Sequence, residues 1–303
     1  MKHLSTLLKV AIMAGVLLTA CDRQASTVAP TLPGLPQATL ANQTAAASPT
    51  ARIKPSATPT TQAFTGIEVT FDRLSLVIPT GLAAGGSGTM VPEGKKDEVA
   101  PWDVGPEHIQ LNLDGYLLDG KFLQPQIHVY PAQAYVQLQE RGSAAKSLEQ
   151  LRALLAQGSM VNVKELPEVP FFNVPQAMAA KVKIIPFQGG KGVRMVTEYA
   201  MGRAIINNNE LIYHFEGLTD DERYYAIVIL PVTAPGLPED GTPGSAVPPQ
   251  GVSVPDYNDM NANWMGYYGD VRQMLQGLEP GDYNPNLDQL DALIGSITID
   301  ISK

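Results

Sequence analysis

NNELIYHFEGLTDDERYYAIVILPV, residues 208–232, contains two apolar-rich runs, Asn208 to Gly217 and Arg223 to Val232, on either side of an acidic tip. The tip, Leu218-Thr219-Asp220-Asp221-Glu222, is far too short for a crossover helix, so the runs are expected to pair antiparallel. His214 and Glu216 are two positions apart and therefore share a face of their strand. The three adjacent carboxylates offer too few oxygens for calcium, and no loop of the EF-hand type surrounds them. They read as solvated turn acids.

The same pattern recurs outward in both directions. Ala180 to Phe187 and Val193 to Met201 form a second antiparallel pair, with Gly190-Lys191-Gly192 as its turn. His108-Ile109-Gln110-Leu111-Asn112-Leu113 alternates, as does Gln126 to Tyr130 with His128 on the polar face, and a hairpin would pair them. Ile67, Val69 and Phe71 alternate with Glu68, Thr70 and Asp72, and Leu74 to Ile78 follows across an Asp72-Arg73 turn. Pro79 to Pro106 reads as loop. Its cluster Gly85-Gly86-Ser87-Gly88 lacks the Gly-Lys-Ser/Thr ending of a phosphate loop, and Ser87 lacks the glycine two residues on that a nucleophile elbow requires.

Helical signals are fewer. Ser147-Leu148-Glu149-Gln150 fits a capping box opening a helix over 148–157 that ends at Gly158. Trp264, Tyr267 or Tyr268, Val271 and Leu275 recur at helical spacing up to Gly277, with one of the adjacent tyrosines expected to be exposed. Asn284-Pro285 opens a helix through Leu287, Leu290 and Ile294, before a last strand from Ile297 to Ile301. About nine strands and three short helices, mostly in hairpins, give an α+β fold: a curved, mainly antiparallel sheet with the helices packed on it.

The amino-terminal segment carries a different message. Lys2 and Lys9 precede an apolar run from Val10 to Leu18, and nine helical residues rise only about 14 Å against a hydrocarbon core near 30 Å. That suits a cleavable signal peptide over residues 1–20. Leu18-Thr19-Ala20-Cys21 resembles the lipobox of bacterial lipoproteins. The resemblance implies recognition of Leu18, Thr19 and Ala20 by a signal peptidase, cleavage before Cys21, and a diacylglyceryl group with fatty chains such as palmitate on its sulfur. The expected location is the extracytoplasmic face of a cell membrane, with the lipid on Cys21 as anchor.

Cys21 is the only cysteine in 303 residues, so disulfides and thiolate metal sites are excluded. Residues 21–62 are rich in Ala, Ser, Thr and Pro and read as a flexible linker, reaching roughly 35 Å root-mean-square as a coil. Residues 63–303 are then a single globular domain. Of 21 basic residues, loss of Lys2 and Lys9 leaves 19 against 30 acidic ones, a net charge of −11. Such a surface repels phosphate backbones, so nucleic acid is not an expected partner.

The order of elements from Ile67 to Ile301 resembles that of the small lumenal photosystem proteins of the PsbP type, which implies a curved antiparallel sheet carrying helices on its faces. It carries no site residues across. The expected function is a non-catalytic binding or assembly module of the cell envelope, with a protein, peptidoglycan or glycan as partner. Its candidate ligand platform is Tyr257, Trp264, Tyr267 and Tyr268, flat amphipathic rings beside a loop from Pro231 to Asn261 that holds seven prolines. The alternative is an envelope hydrolase using His with Asp or Glu, with Glu107–His108 and His214–Glu216 as its pairs. No cofactor and no metal is expected: His108, His128 and His214 lie on separate strands with no ligand spacing, and read as solvent-facing.

Overall fold

A computed structural model describes residues 65–139, 142–158 and 165–303. The lipobox Leu18–Cys21 and the linker expected over 21–62 lie outside the described residues. In chain order the elements are β1 (Gly66–Phe71), β2 (Leu74–Pro79), β3 (Gly85–Val91), β4 (His108–Asp114), β5 (Gln126–Pro131), α1 (Ala132–Leu138), α2 (Ser143–Gln157), β6 (Gln176–Phe187), β7 (Gly190–Tyr199), β8 (Ile212–Thr219), β9 (Tyr224–Pro231), α3 (Trp264–Gly277), α4 (Leu287–Ser296) and β10 (Thr298–Ile299). The fold is α+β, with four α-helices among the described residues and two antiparallel sheets. Seven strands run in the order β3-β4-β5-β9-β8-β7-β6, and three in the order β1-β2-β10.

The hairpin over 208–232 is the centre of the larger sheet. β8 and β9 pair from Ile212↔Pro231 to Leu218↔Tyr225, and are flanked by β7 and β5. Their near-continuous apolar character follows from position: a central strand with both faces covered has no solvent side on which to place polar residues. At the tip, Asp221 accepts from the Thr219 hydroxyl (2.7 Å) and from Arg223, while Glu222 meets Arg152 of α2 at 2.7 Å. Asp221 and Glu222 are thus committed to hydrogen bonds and ion pairs.

The two faces of this sheet carry different cores. One packs Leu111, Ile127, Tyr213, Phe215 and Val228 against α3, α4 and the smaller sheet, through residues such as Leu275, Leu290 and Leu76. The Arg194 guanidinium and the Tyr213 hydroxyl both reach Asp291 Oδ1 (3.0 and 2.9 Å), tying α4 down. The other face packs Met195, Ile212, Ile227 and Ile229 against α1 and α2, through Tyr135, Leu148, Leu151 and Leu154.

Several elements depart from the expectations above. The glycine cluster expected in a loop forms the edge strand β3, paired with β4 from Gly85↔Asp114 to Val91↔His108. Glycine is required there by close approach: a Cβ on Gly88 would overlap the ring of Phe71. The turn between β6 and β7 falls at Gln188-Gly189, with Gly189 at φ 79°, and Gly190 lies within β7 because the Phe187 ring occupies the space of a side chain. Helix α2 starts one turn before the expected capping box, behind Gly142, so Ser147 is an interior helical residue. Gly158 does close it, in the left-handed conformation (φ 63°). α1 was unanticipated, since seven residues starting at Ala132 carry no cap signal. α4 is capped by Asn286, not Asn284, through a bond to the Asp288 amide.

Candidate functional site

Alternation along β4 and β5 builds the site. Ile109, Leu111, Ile127 and Val129 point into the first core, so His108, Gln110, Gln126, His128 and Tyr130 project from the other face. Gln110 stands opposite His128 and Asn112 opposite Gln126. Two chain segments wall this floor. One is the loop from Pro92 to Gly105, closed on itself by reciprocal bonds between Gly94 and Gly105 (2.9 and 3.3 Å) and held to α1 by a bond from Gln139 Nε2 to the Val104 carbonyl (2.6 Å). The other carries Phe171 and Phe172. Between them lies an open cavity of about 610 Å³, within the range of small-ligand sites.

Its rings are stacked. Tyr130 is held between His108 (centroids 4.1 Å apart, planes 27°) and Tyr135 of α1 (4.4 Å, 26°). His128 lies 4.9 Å from Phe171 and 5.4 Å from His108. Trp102, in the loop wall, is 39% exposed and offers an open ring. Among the described residues that line the cavity there is no lysine or arginine, while Glu93 and Asp103 supply carboxylates.

Hydrogen bonds assign the tautomers. His108 Nδ1 lies 2.9 Å from the Pro106 carbonyl, which can only accept, so Nδ1 carries the proton and Nε2 is an acceptor. His128 Nε2 is 2.9 Å from Gln126 Oε1, and its Nδ1 faces the Tyr130 hydroxyl at 3.4 Å. Burial pushes both imidazoles below their ordinary pKa. It brings His128 down to about 3, with help from the neighbouring His108, while a bond to the Pro106 carbonyl opposes the effect at His108. Both rings are neutral at pH 7. Neither histidine is solvent-facing in the expected sense: His128 is 5% exposed and His108 is half-buried.

His214 shares the face but stands two strands away, roughly 10 Å at the usual strand spacing. It does meet Glu216: Nε2 lies 3.0 Å from Oε1, although off the line of a good hydrogen bond. Glu216 Oε2 accepts from the Tyr225 hydroxyl and from Ser147 Oγ (2.9 Å), and that same hydroxyl lies 2.7 Å from the Glu168 carbonyl. One hydroxyl hydrogen therefore serves two acceptors. On the far side Tyr199 places its hydroxyl 3.3 Å from His214 Nδ1, and its ring meets Phe172 edge-on at 4.9 Å. A line of aromatic rings thus runs from the cavity to the pair.

The arrangement cannot work as a hydrolytic triad. In a triad the histidine stands between nucleophile and acid, whereas here the acid stands between Ser147 and His214. His214 and Glu216 are both 0% exposed, leaving no path for a substrate. Glu107, the other proposed acid, is exposed, and no bond to His108 is found among the described residues. Nor do the described residues bring three His, Cys, Asp or Glu side chains into a metal-binding group.

The four rings proposed from sequence lie on the opposite face of the sheet. Trp264, Tyr267 and Tyr268 belong to the core under α3, and only Tyr257 is exposed, at 44%. The expectation that one of the paired tyrosines is exposed is overturned: both are buried, because α3 packs against the 202–206 segment as well as the sheet. Tyr267 accepts from the Ile206 amide (3.1 Å), and Tyr268 accepts from the Ala204 amide (2.9 Å) while donating to the Gly202 carbonyl (3.1 Å). Sequence reasoning missed Trp102, Phe171, Gln110 and Gln126. The available signal was the set of polar and aromatic residues at the outward positions of both strands, His108, Gln110, Gln126, His128 and Tyr130.

Compared with known proteins, the chain matches no family model, no curated protein and no solved structure, so its function has to be read from these residues.

Proposed function

We propose that the protein is an extracytoplasmic binding module, held at a cell membrane by lipid on Cys21 and displayed beyond it by the 21–62 linker, with the cavity over β4 and β5 as its ligand site. Envelope protein, peptidoglycan and glycan are the partner classes in view. The observation that carries this reading is the contrast in access: the cavity is open and holds polar groups with spare bonding capacity, whereas the His214–Glu216 pair a hydrolase would use is sealed. No described helix is long and apolar enough to cross a membrane; the lipid anchor is proposed from Leu18-Thr19-Ala20-Cys21 in the sequence.

Mass spectrometry of the mature amino terminus from native membranes tests the anchor: a diacylated Cys21 supports it, and an uncut chain or a free thiol removes it. A thermal-shift screen of envelope-derived compounds against the mature chain and Trp102→Ala tests the site. A compound that stabilises the wild type and not the variant supports it. Stabilisation equal in both places the ligand elsewhere.

A further inference from the structure

We infer that the cavity over β4 and β5 takes a hydroxyl-rich, uncharged saccharide ring, laid on Trp102 and hydrogen-bonded to His108, Gln110 and Gln126. This rests on the binding-module reading and adds the ligand's chemistry. The first argument is charge. With Glu93 and Asp103 in the lining and no lysine or arginine among its described residues, phosphate, sulfate and carboxylate ligands have no counter-charge.

The second is the balance of donors and acceptors. Gln126 Oε1 is taken by His128, which leaves the Gln126 amide hydrogens free. Gln110 Nε2 donates to Asn112 Oδ1 (3.0 Å), which leaves Gln110 Oε1 as an acceptor. His108 Nε2 is a second acceptor because Nδ1 is held by the Pro106 carbonyl. Burial keeps that imidazole neutral, so Nε2 stays an acceptor at pH 7. With the two carboxylates added, acceptors outnumber donors. A hydroxyl brings one donor and two acceptor lone pairs, so a ring of hydroxyls can give hydrogens to these acceptors and also accept from the Gln126 amide, as a sugar does.

The third is the disposition of the rings. A cage for a quaternary ammonium turns several ring faces toward the cation. Here Tyr130 has both faces covered by His108 and Tyr135, and Tyr130 and Tyr135 are buried. Among the described aromatic residues of the lining, Trp102 is the one that is exposed, with Phe171 and Phe172 half-buried and packed edge-on against each other. A single open platform bordered by amides suits one flat apolar face with polar edges.

The test is calorimetric titration of the mature lipidated chain, in a detergent without a sugar headgroup, with three probes: neutral oligosaccharides, tetramethylammonium, and a tyrosine-rich peptide. The expected result is saturable binding of a neutral oligosaccharide, weakened about tenfold or more in Trp102→Ala and several-fold in Gln126→Leu, with melting temperatures near wild type. Binding of the ammonium or the peptide in a Trp102-dependent manner, with no saccharide binding, overturns the ligand class and leaves the binding-module reading standing. If no probe binds in a Trp102-dependent manner, both fall.

Discussion

The two faces of the seven-stranded sheet differ less in how much polar chemistry they hold than in how it is closed. On the α3–α4 face the polar groups are few and held within the fold: Asp291 is taken by Arg194 and Tyr213, and Asn207 donates its amide to Glu198 Oε2 at 2.9 Å. The α1–α2 face carries all three described histidines, Glu216 and a run of rings, with α2 packed on β7 and α1 on β5 through Tyr135. Where cover is complete, the polar groups face one another rather than solvent, with Glu198 Oε1, His214 Nε2 and Glu216 Oε1 lacking a well-aligned hydrogen bond. Beyond Tyr135, over β4 and the Gln126–His128 stretch of β5, the same kinds of residue keep donors and acceptors that face the cavity.

The sharpest way to break this contrast is at the sealed pair. His214→Ala leaves Glu216 buried without its neighbour and is expected to cost about 3–5 kcal/mol, read by urea denaturation. The double change His214→Leu with Glu216→Leu is expected to recover much of that loss, because two apolar side chains need no partners. A double variant no more stable than the single one would mean that the pair is irreplaceable. On the opposite face Leu290→Ala, at a fully buried position of α4, is expected to cost about 2–5 kcal/mol without altering ligand binding.

Acid separates the faces next. His128 falls from 6.5 unfolded to about 3 folded, so below pH 6.5 the unfolded chain binds a proton that the folded chain refuses. Its contribution is therefore complete above pH 6.5 and is lost as pH drops toward 3, at up to about 1.4 kcal/mol per pH unit. The groups around it are His108, Gln126, Tyr130 and Phe171; His108, also lowered, adds in the same direction. Glu198 on the other face does the reverse: burial raises it, so its stability is present below its unfolded value and is lost as pH rises through the folded one. His128→Gln should flatten the fall in stability between pH 6 and 4.5 by close to one proton. An unchanged slope would show that His128 is protonated in the folded state.

The smallest effect on stability belongs to Trp102→Ala. At an exposed wall of the cavity it is expected to move stability by about 0.5 kcal/mol or less. Its effect on binding should exceed that of any change on the α3–α4 face.

What could be read from the sequence follows the physics of local pattern. Period-two alternation placed His108 and His128 on strands that do pair, and the two-residue interval placed His214 and Glu216 on one face, where they meet. Helical spacing from Trp264 to Leu275 found α3. Reading failed where the deciding partner lies far along the chain. Gly88 stands in a strand where the Phe71 ring leaves no room for a side chain, and Ser147 stands inside a helix with its hydroxyl on the Glu168 carbonyl and Glu216. Tyr268 is buried because the 202–204 segment closes over it. The cavity is a tertiary feature of the same kind, made by loops at 92–105 and 171–172 that no periodicity connects to β4 or β5.

The chain has two tryptophans, one on each side of this comparison: Trp102 at the cavity and Trp264 buried under α3. Following both indole N–H signals by NMR while titrating a neutral oligosaccharide tests the central claim without any mutation. The prediction is a saturable shift of the Trp102 signal with Trp264 unmoved. A series in which Trp102 stays fixed, or in which Trp264 alone responds, would place ligand recognition away from this face and contradict the account.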